Sequence, residues 1–214
     1  MKTKLFTNTG IALIALLASC VKQPEATFTA SKTTPITGEE ISFTNSSTDA
    51  VSYSWDFGDS KTSTEKNPKH TYDKFGTYTV KFIANSKKDK KSDEATTTIT
   101  VGKNTKEKLT QTWKFNTASS DSYEDNVYVA SYSFIFTVMK MQFNSNGQFV
   151  ATDEDGIQET GSWSLINDTQ ISIYNEVWNI VSISETNLTL KVTSSYHDGG
   201  VYYTDVIIYN LSKL

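Results

Sequence analysis

The side chains able to carry chemistry in this chain are few and scattered. There are two histidines, His70 and His197, and a single cysteine, Cys20. His197 precedes Asp198 in a Gly-rich turn, where a carboxylate can orient an imidazole. No strained Ser and no second thiol accompanies it, so nothing supplies a nucleophile. The sequence contains no Gly-x-Ser-x-Gly elbow, no His-Glu-x-x-His and no phosphate-cradling Gly loop. Asp153-Glu154-Asp155-Gly156 offers oxygens to calcium but lacks the ligand spacing of a calcium loop, and it reads as a hairpin tip. One Cys and two His cannot build a zinc site. The expectation is a protein that is not an enzyme, holds no metal and needs no cofactor.

The elements that would position any site are β-strands. The 214 residues suffice for one large domain or two small ones, and 12% aromatic residues argue for packed cores. All 20 basic residues are Lys, so the planar fork that best recognises phosphate and guanine is missing. With a net charge of −4, nucleic acid is excluded as a partner. Met1–Ser19 carries Lys2 and Lys4, then the apolar run Gly10–Ala18, with no acid before Glu25. That is the pattern of an export signal, and the run is too short to span a bilayer. Its end, Leu17-Ala18-Ser19-Cys20, resembles the lipobox of bacterial lipoproteins. The resemblance implies cleavage before Cys20, acylation of that thiol, and a lipid-anchored place in the cell envelope, the outer membrane being favoured. Residues 20–24 are then a short tether.

Residues 25–102 alternate apolar and polar positions between turn residues, the signature of short sandwich strands. Ile41 and Phe43 share one face. Tyr53, Trp55 and Phe57 share another, as do Tyr78, Val80, Phe82 and Ala84. The sequence Ser54-Trp55-Asp56-Phe57-Gly58-Asp59, followed by Asn67-Pro68-Lys69-His70-Thr71-Tyr72 and Gly76-Thr77-Tyr78, resembles a PKD domain, an immunoglobulin-like β-sandwich. The resemblance implies a spacer or adhesive module. Trp55 and Phe57 are expected in the core, His70 as a packed or edge residue, and Asp56 and Asp59 as turn-closing acceptors. A sharper alternative makes Trp55 a sugar platform and the two Asp a calcium site. Ser60 stands where the family often has Gly, which predicts mild strain. Lys87-Lys88-Asp89-Lys90-Lys91 reads as a solvated hairpin loop.

After a polar linker, with one helical turn expected before Leu109, residues 103–214 again read as β. Turn signals at Asn146-Gly147, Asp155-Gly156, Asn167-Asp168, Glu185–Asn187 and Asp198–Gly200 have the rhythm of consecutive hairpins in a barrel or sandwich. The apolar parity changes between Phe136 and Met139, predicting a bulge or bend over Thr137–Met139. Thr112-Trp113-Lys114-Phe115, Met141–Phe149, Thr160–Leu165 and Trp178–Leu190 together resemble a bacterial lipocalin-like domain, a small antiparallel β-barrel. Such a barrel either fills with side chains or holds one small ligand. Trp113, Phe134, Phe136, Phe143, Trp163, Trp178 and Tyr203 are the candidates for that core or pocket.

The sequence therefore predicts an all-β chain: an immunoglobulin-like PKD sandwich, then a lipocalin-like barrel, tethered to the membrane through acylated Cys20. Its expected role is binding a small apolar molecule or a glycan. The rivals are a structural or adhesive protein with a filled barrel and envelope-protein partners, and an accessory subunit of a polysaccharide-processing system.

Overall fold

The computed structural model describes residues 22–87, 91–135 and 139–214. Cys20 and the signal sequence lie outside the described residues, as do Phe136, the expected bend at residues 137–138, and the centre of the lysine run. Contacts divide the chain into two compact units: the first takes the residues up to Pro35, Glu40–Tyr72 and Thr77–Thr100, and the second takes Ile36–Glu39, Asp73–Gly76 and Val101–Leu214. No helix among the described residues is long and apolar enough to cross a membrane.

The first unit pairs β1 (Phe28–Ala30), β2 (Glu40–Asn45) and β5 (Lys69–Thr71) in one sheet. The second sheet runs β4 (Thr62–Ser63), β3 (Ser52–Asp56), β6 (Gly76–Asn85) and β7 (Ser92–Val101). Alternation sends Ile41 and Phe43 inward from β2, Trp55 from β3, and Val80, Phe82 and Ala84 from β6, all 0–1% exposed. Their rings interlock: Trp55 lies 4.1 Å from Phe82 and edge-on to Phe28 at 5.0 Å. Each of these buried side chains larger than alanine contributes about 1.5–3 kcal/mol. At the base of the β6–β7 hairpin the Lys91 N–H donates to Ser86 Oγ (3.0 Å), so this buried hydroxyl is satisfied.

The second unit opens with a short helix, α1 (Thr105–Leu109). Asn104 and Glu107 cap it reciprocally, each side chain accepting the other's backbone N–H at 2.9 Å. Nine strands follow among the described residues: β8 (Thr112–Glu124), β9 (Val127–Ile135), β10 (Lys140–Phe143), β11 (Gln148–Thr152), β12 (Gln158–Asn167), β13 (Gln170–Ile173), β14 (Glu176–Ile183), β15 (Asn187–Asp198) and β16 (Val201–Lys213). Every pairing is antiparallel. Strands β10 to β16 pair in sequence, β16 pairs with β8, and β8 returns to β10 through Thr112–Lys114, closing an eight-stranded barrel. Its core gathers Leu109, Trp113, Phe115, Phe143, Phe149, Trp163, Ile171, Leu188, Leu190 and Leu211, all under 5% exposed.

Strand β8 outlasts this closure. Beyond Phe115 its partner changes from β10 to β9, which ends the sheet order and has no second neighbour among the described residues. On the opposite flank β15 leaves β14 at Lys191. At ~3.3 Å per residue, its segment 192–198 runs roughly 23 Å further with only β16 beside it among the described residues. The barrel thus continues into a four-stranded ribbon, β9-β8-β16-β15, closed at its tip by two two-residue turns. Asp125 and Asn126 form one with φ of 47° and 64°, and Gly199 and Gly200 the other with 57° and 91°.

Candidate binding surface

The tryptophan motif of the first unit is an interior device. Trp55 is fully buried, and its indole Nε1 donates to the Glu65 carbonyl at 2.9 Å. Asp56 Oδ1 accepts the Gly58 N–H (2.9 Å) and Asp59 Oδ1 the Lys61 N–H (3.1 Å), which builds the turn. The other Asp59 oxygen meets His70 Nε2 at 2.9 Å. The His70 ring lies flat on Phe57 at 4.0 Å and edge-on to Tyr72 at 4.6 Å. Tyr72 donates to the Phe57 carbonyl (2.9 Å) and stacks on Tyr78; burial, then the nearby Asp59 charge, holds its hydroxyl above the ordinary tyrosine range. Gly58 sits at φ 80°, where an added Cβ would lie 2.7 Å from the Thr79 carbonyl oxygen. Ser60 takes φ 71°, a left-handed geometry that strains a residue bearing a Cβ. Gly76, at φ 151°, begins β6. No face of Trp55 is open to a sugar, and Asp59 already serves His70 and the turn.

In the second unit Trp113 is fully buried with Nε1 on the Leu109 carbonyl (3.1 Å), which locks α1 onto the barrel. Trp163 Nε1 donates to the Asn144 carbonyl (3.0 Å), and Phe143 packs edge-on against Trp163 at 5.2 Å. Trp178 stacks on Tyr209 at 5.3 Å, and its indole N–H is buried without a partner among the described residues. Tyr209 meets Phe115 edge-on, and burial, then the Glu176 charge, raises its hydroxyl pKa. Phe134 stands opposite Ala118 in the β8–β9 register. Tyr203 lies outside this cluster: its register partners are Tyr196 and Glu124, both exposed and far along the ribbon. Alternation gave Tyr203 the correct face but not its distance from the barrel, because a strand keeps its period after the sheet covering it has ended.

The same face continues outward from the barrel. Leu188, Leu190 and Val192 of β15 share it with Leu211, Tyr209 and Ile207 of β16, and all three β15 residues are at most 9% exposed. The next rungs on the same side are Ser194–Asp205–Ser122–Ala130 and Tyr196–Tyr203–Glu124, while Tyr132 of β9 stands beside Ser120. Tyr196 and Tyr132 are 56% and 57% exposed. Tyr196 and Tyr203 stack at 4.8 Å with planes 11° apart. Between the aromatics the Ser122 hydroxyl donates to Asp205 Oδ1 at 2.6 Å, fixing that carboxylate. The opposite side bears Tyr202, His197 and the Ser195–Thr204 hydroxyl pair. The sequence placed Tyr132 on one strand parity with Phe134 and Phe136, but Tyr196, Asp205, Ser122 and Ser194 were not singled out by sequence reasoning. The signal that could have found them is Asp125-Asn126, two residues tolerant of positive φ, which folds β8 back as β9. Among the described residues no group of three or more His, Cys, Asp or Glu could hold a metal ion.

The family model described as PKD domain matches residues 21–101. Residues 21–101 are a PKD domain. Collagenase ColA of Bacillus cereus is 39% identical over 95 residues, covering 42% of this chain and 8% of the collagenase. Collagenase ColQ1 of Bacillus cereus is 53% identical over 51 residues, 24% of this chain and 5% of that protein. The chain therefore spans under a tenth of the length of these relatives. Among solved structures, the PKD1 domain of Vibrio anguillarum Epp shares 32% identity over 38% of this chain and 95% of its own, with a TM-score of 0.33. A structure of carbohydrate-binding modules from the β-sandwich superfamily covers 91% of this chain and 93% of its own at 15% identity, with a TM-score of 0.37.

Proposed function

We propose that this protein is a non-enzymatic binding protein of the cell envelope, in which acylated Cys20 is the anchor, the PKD domain the spacer, and the barrel domain the bearer of the contact surface. A PKD domain points to a non-catalytic adhesion or binding module. The observation that carries the reading is the continuity of one sheet face: the rows that line the barrel core run on into a ribbon where Tyr132 and Tyr196 stand more than half exposed. Rigid aromatic side chains on an uncovered sheet offer contact area at little entropic cost, the usual make-up of an interaction surface.

A second reading places a small ligand inside the lipocalin-like barrel, favoured by the buried Trp178 N–H that lacks a partner among the described residues. Native mass spectrometry of the mature chain, with Cys20 replaced and no detergent used, separates the two. The bare polypeptide mass is expected. Extra mass removed by organic extraction would move the binding site from the ribbon to the lumen.

A further inference from the structure

The ribbon face narrows the chemistry of what it binds. Its aromatic groups are Tyr132, Tyr196 and Tyr203, and the polar groups interleaved with them are Asp205, Glu124, Ser120, Ser122 and Ser194. Every one of those polar groups is a carboxylate or a hydroxyl. The lysine nearest in register, Lys191, alternates to the opposite side of β15. The surroundings reinforce this sign: from residue 103 onward the chain carries seven Lys against thirteen acids. An anionic polymer, a phosphate or an acidic membrane surface would meet repulsion and no countercharge. An apolar lipid would leave Asp205 and Glu124 desolvated without partners.

A neutral sugar chain meets neither penalty. Each pyranose ring has an apolar C–H face that lies against an aromatic ring, and a rim of hydroxyls that donate to carboxylates and exchange hydrogen bonds with serines. The ribbon presents both kinds of group at several points. Tyr196–Tyr203 and Tyr132 are separated by four residues along β16, from the Tyr203 rung to the Ile207 rung, and by two strand spacings across the sheet. That is roughly 13 Å by 10 Å, too wide for one sugar. The carboxylate between them is already oriented, because Asp205 Oδ1 accepts from Ser122. We infer that the face bearing Tyr132, Tyr196, Tyr203 and Asp205 is a binding site for a neutral oligosaccharide or polysaccharide chain. This rests on the ribbon being the contact surface, and it names the ligand class.

The test is affinity electrophoresis of the full mature chain, Cys20 replaced, through gels containing neutral polysaccharides (xyloglucan, glucomannan, soluble starch) or acidic ones (alginate, polygalacturonate). Retardation is expected in at least one neutral gel and in neither acidic gel. Tyr196→Ala and Tyr203→Ala should each weaken it by about tenfold or more, the effect of removing an aromatic anchor. Asp205→Asn should weaken it with the fold intact by circular dichroism. Tyr202→Ala, on the same hairpin but the opposite side, should leave retardation unchanged. Equal loss in Tyr202→Ala, retardation by acidic chains, or no retardation in any neutral gel would each overturn the inference. If the neutral gels fail while Tyr196→Ala still breaks a self-association seen in sedimentation, the ribbon remains a contact surface and its partner is a second copy. If neither binding nor association depends on these tyrosines, the contact-surface reading fails as well.

Discussion

Replacing Gly58 by Ala separates two costs that usually arrive together. A left-handed φ costs a residue with a Cβ about 1–2 kcal/mol, and Gly58 sits at φ 80°. At Gly58 the new Cβ would also fall 2.7 Å from the Thr79 carbonyl oxygen and 3.1 Å from its nitrogen, both backbone atoms of β6. Relief requires the turn after β3 to move away from β6, and overpacking of this kind costs about 1–3 kcal/mol more. Gly38 supplies the control: it has φ 85°, and an added Cβ there would meet nothing within 4 Å. Gly38→Ala should therefore cost about 1–2 kcal/mol and Gly58→Ala about 2–5 kcal/mol. The assay is urea unfolding of the full chain, read by hydrogen exchange of peptides covering Ser52–Asp56 and Gly76–Asn85 for the Gly58 variant and Glu40–Asn45, just after Gly38, for the control. With a slope of about 1–3 kcal/mol per molar urea, the two midpoints should differ by roughly 1 M. Coincident midpoints would refute the claim that the approach of Thr79, and not φ alone, makes Gly obligatory at this turn.

Three further outcomes are expected. Trp55→Ala should destabilise the PKD domain by about 3–5 kcal/mol in the same assay, whereas intact stability with lost glycan retention would make Trp55 a platform after all. Tyr72 has its pKa raised in the fold, so the unfolded chain releases that proton first as pH climbs past about 10. Stability should be level below that point and decline above it, less steeply in Tyr72→Phe, as pH-dependent urea midpoints would reveal. Cys20→Ala should yield an exported, unacylated chain in the soluble fraction, and firm membrane attachment of that variant would sink the lipid-anchor proposal.

The all-β class was legible because alternation is strong where strands are covered on one side. Trp55, Tyr78 and Phe82 announce their strands through spacing alone, and Gly58 and Asn146-Gly147 mark turns through the φ they permit. Two hairpins escaped notice, at Asp125-Asn126 and Tyr174-Asn175. Asp and Asn at the first are ordinary turn formers, whereas the second places φ 52° on Tyr174, a residue type that carries no turn signal. The ribbon escaped with them. Val192 and Tyr196 belong to one alternating series, yet Val192 is 9% and Tyr196 56% exposed. The difference lies in distance from the barrel wall: Val192 is the first residue past the last β14 pairing at Lys191 and Tyr196 stands four residues further out, a tertiary fact with no local trace. Gly161 was opaque for the same reason: an added Cβ there would lie 2.5 Å from the Tyr174 ring and 2.6 Å from the Phe149 ring, a constraint set by distant residues.

The ribbon is also a mechanical element. Strands β15 and β16 are joined through twelve register pairs and β16 and β8 through eleven, reaching from the tip down to the barrel wall. Antiparallel hydrogen bonds lie perpendicular to the strands, so a pull along the strand axis must shear many of them at once. A pull across the face peels them from the tip one rung at a time. A ligand chain that drags parallel to the strands would thus be held against far more force than one lifted away from the sheet, and the same contact would grip under sideways drag yet release when unzipped.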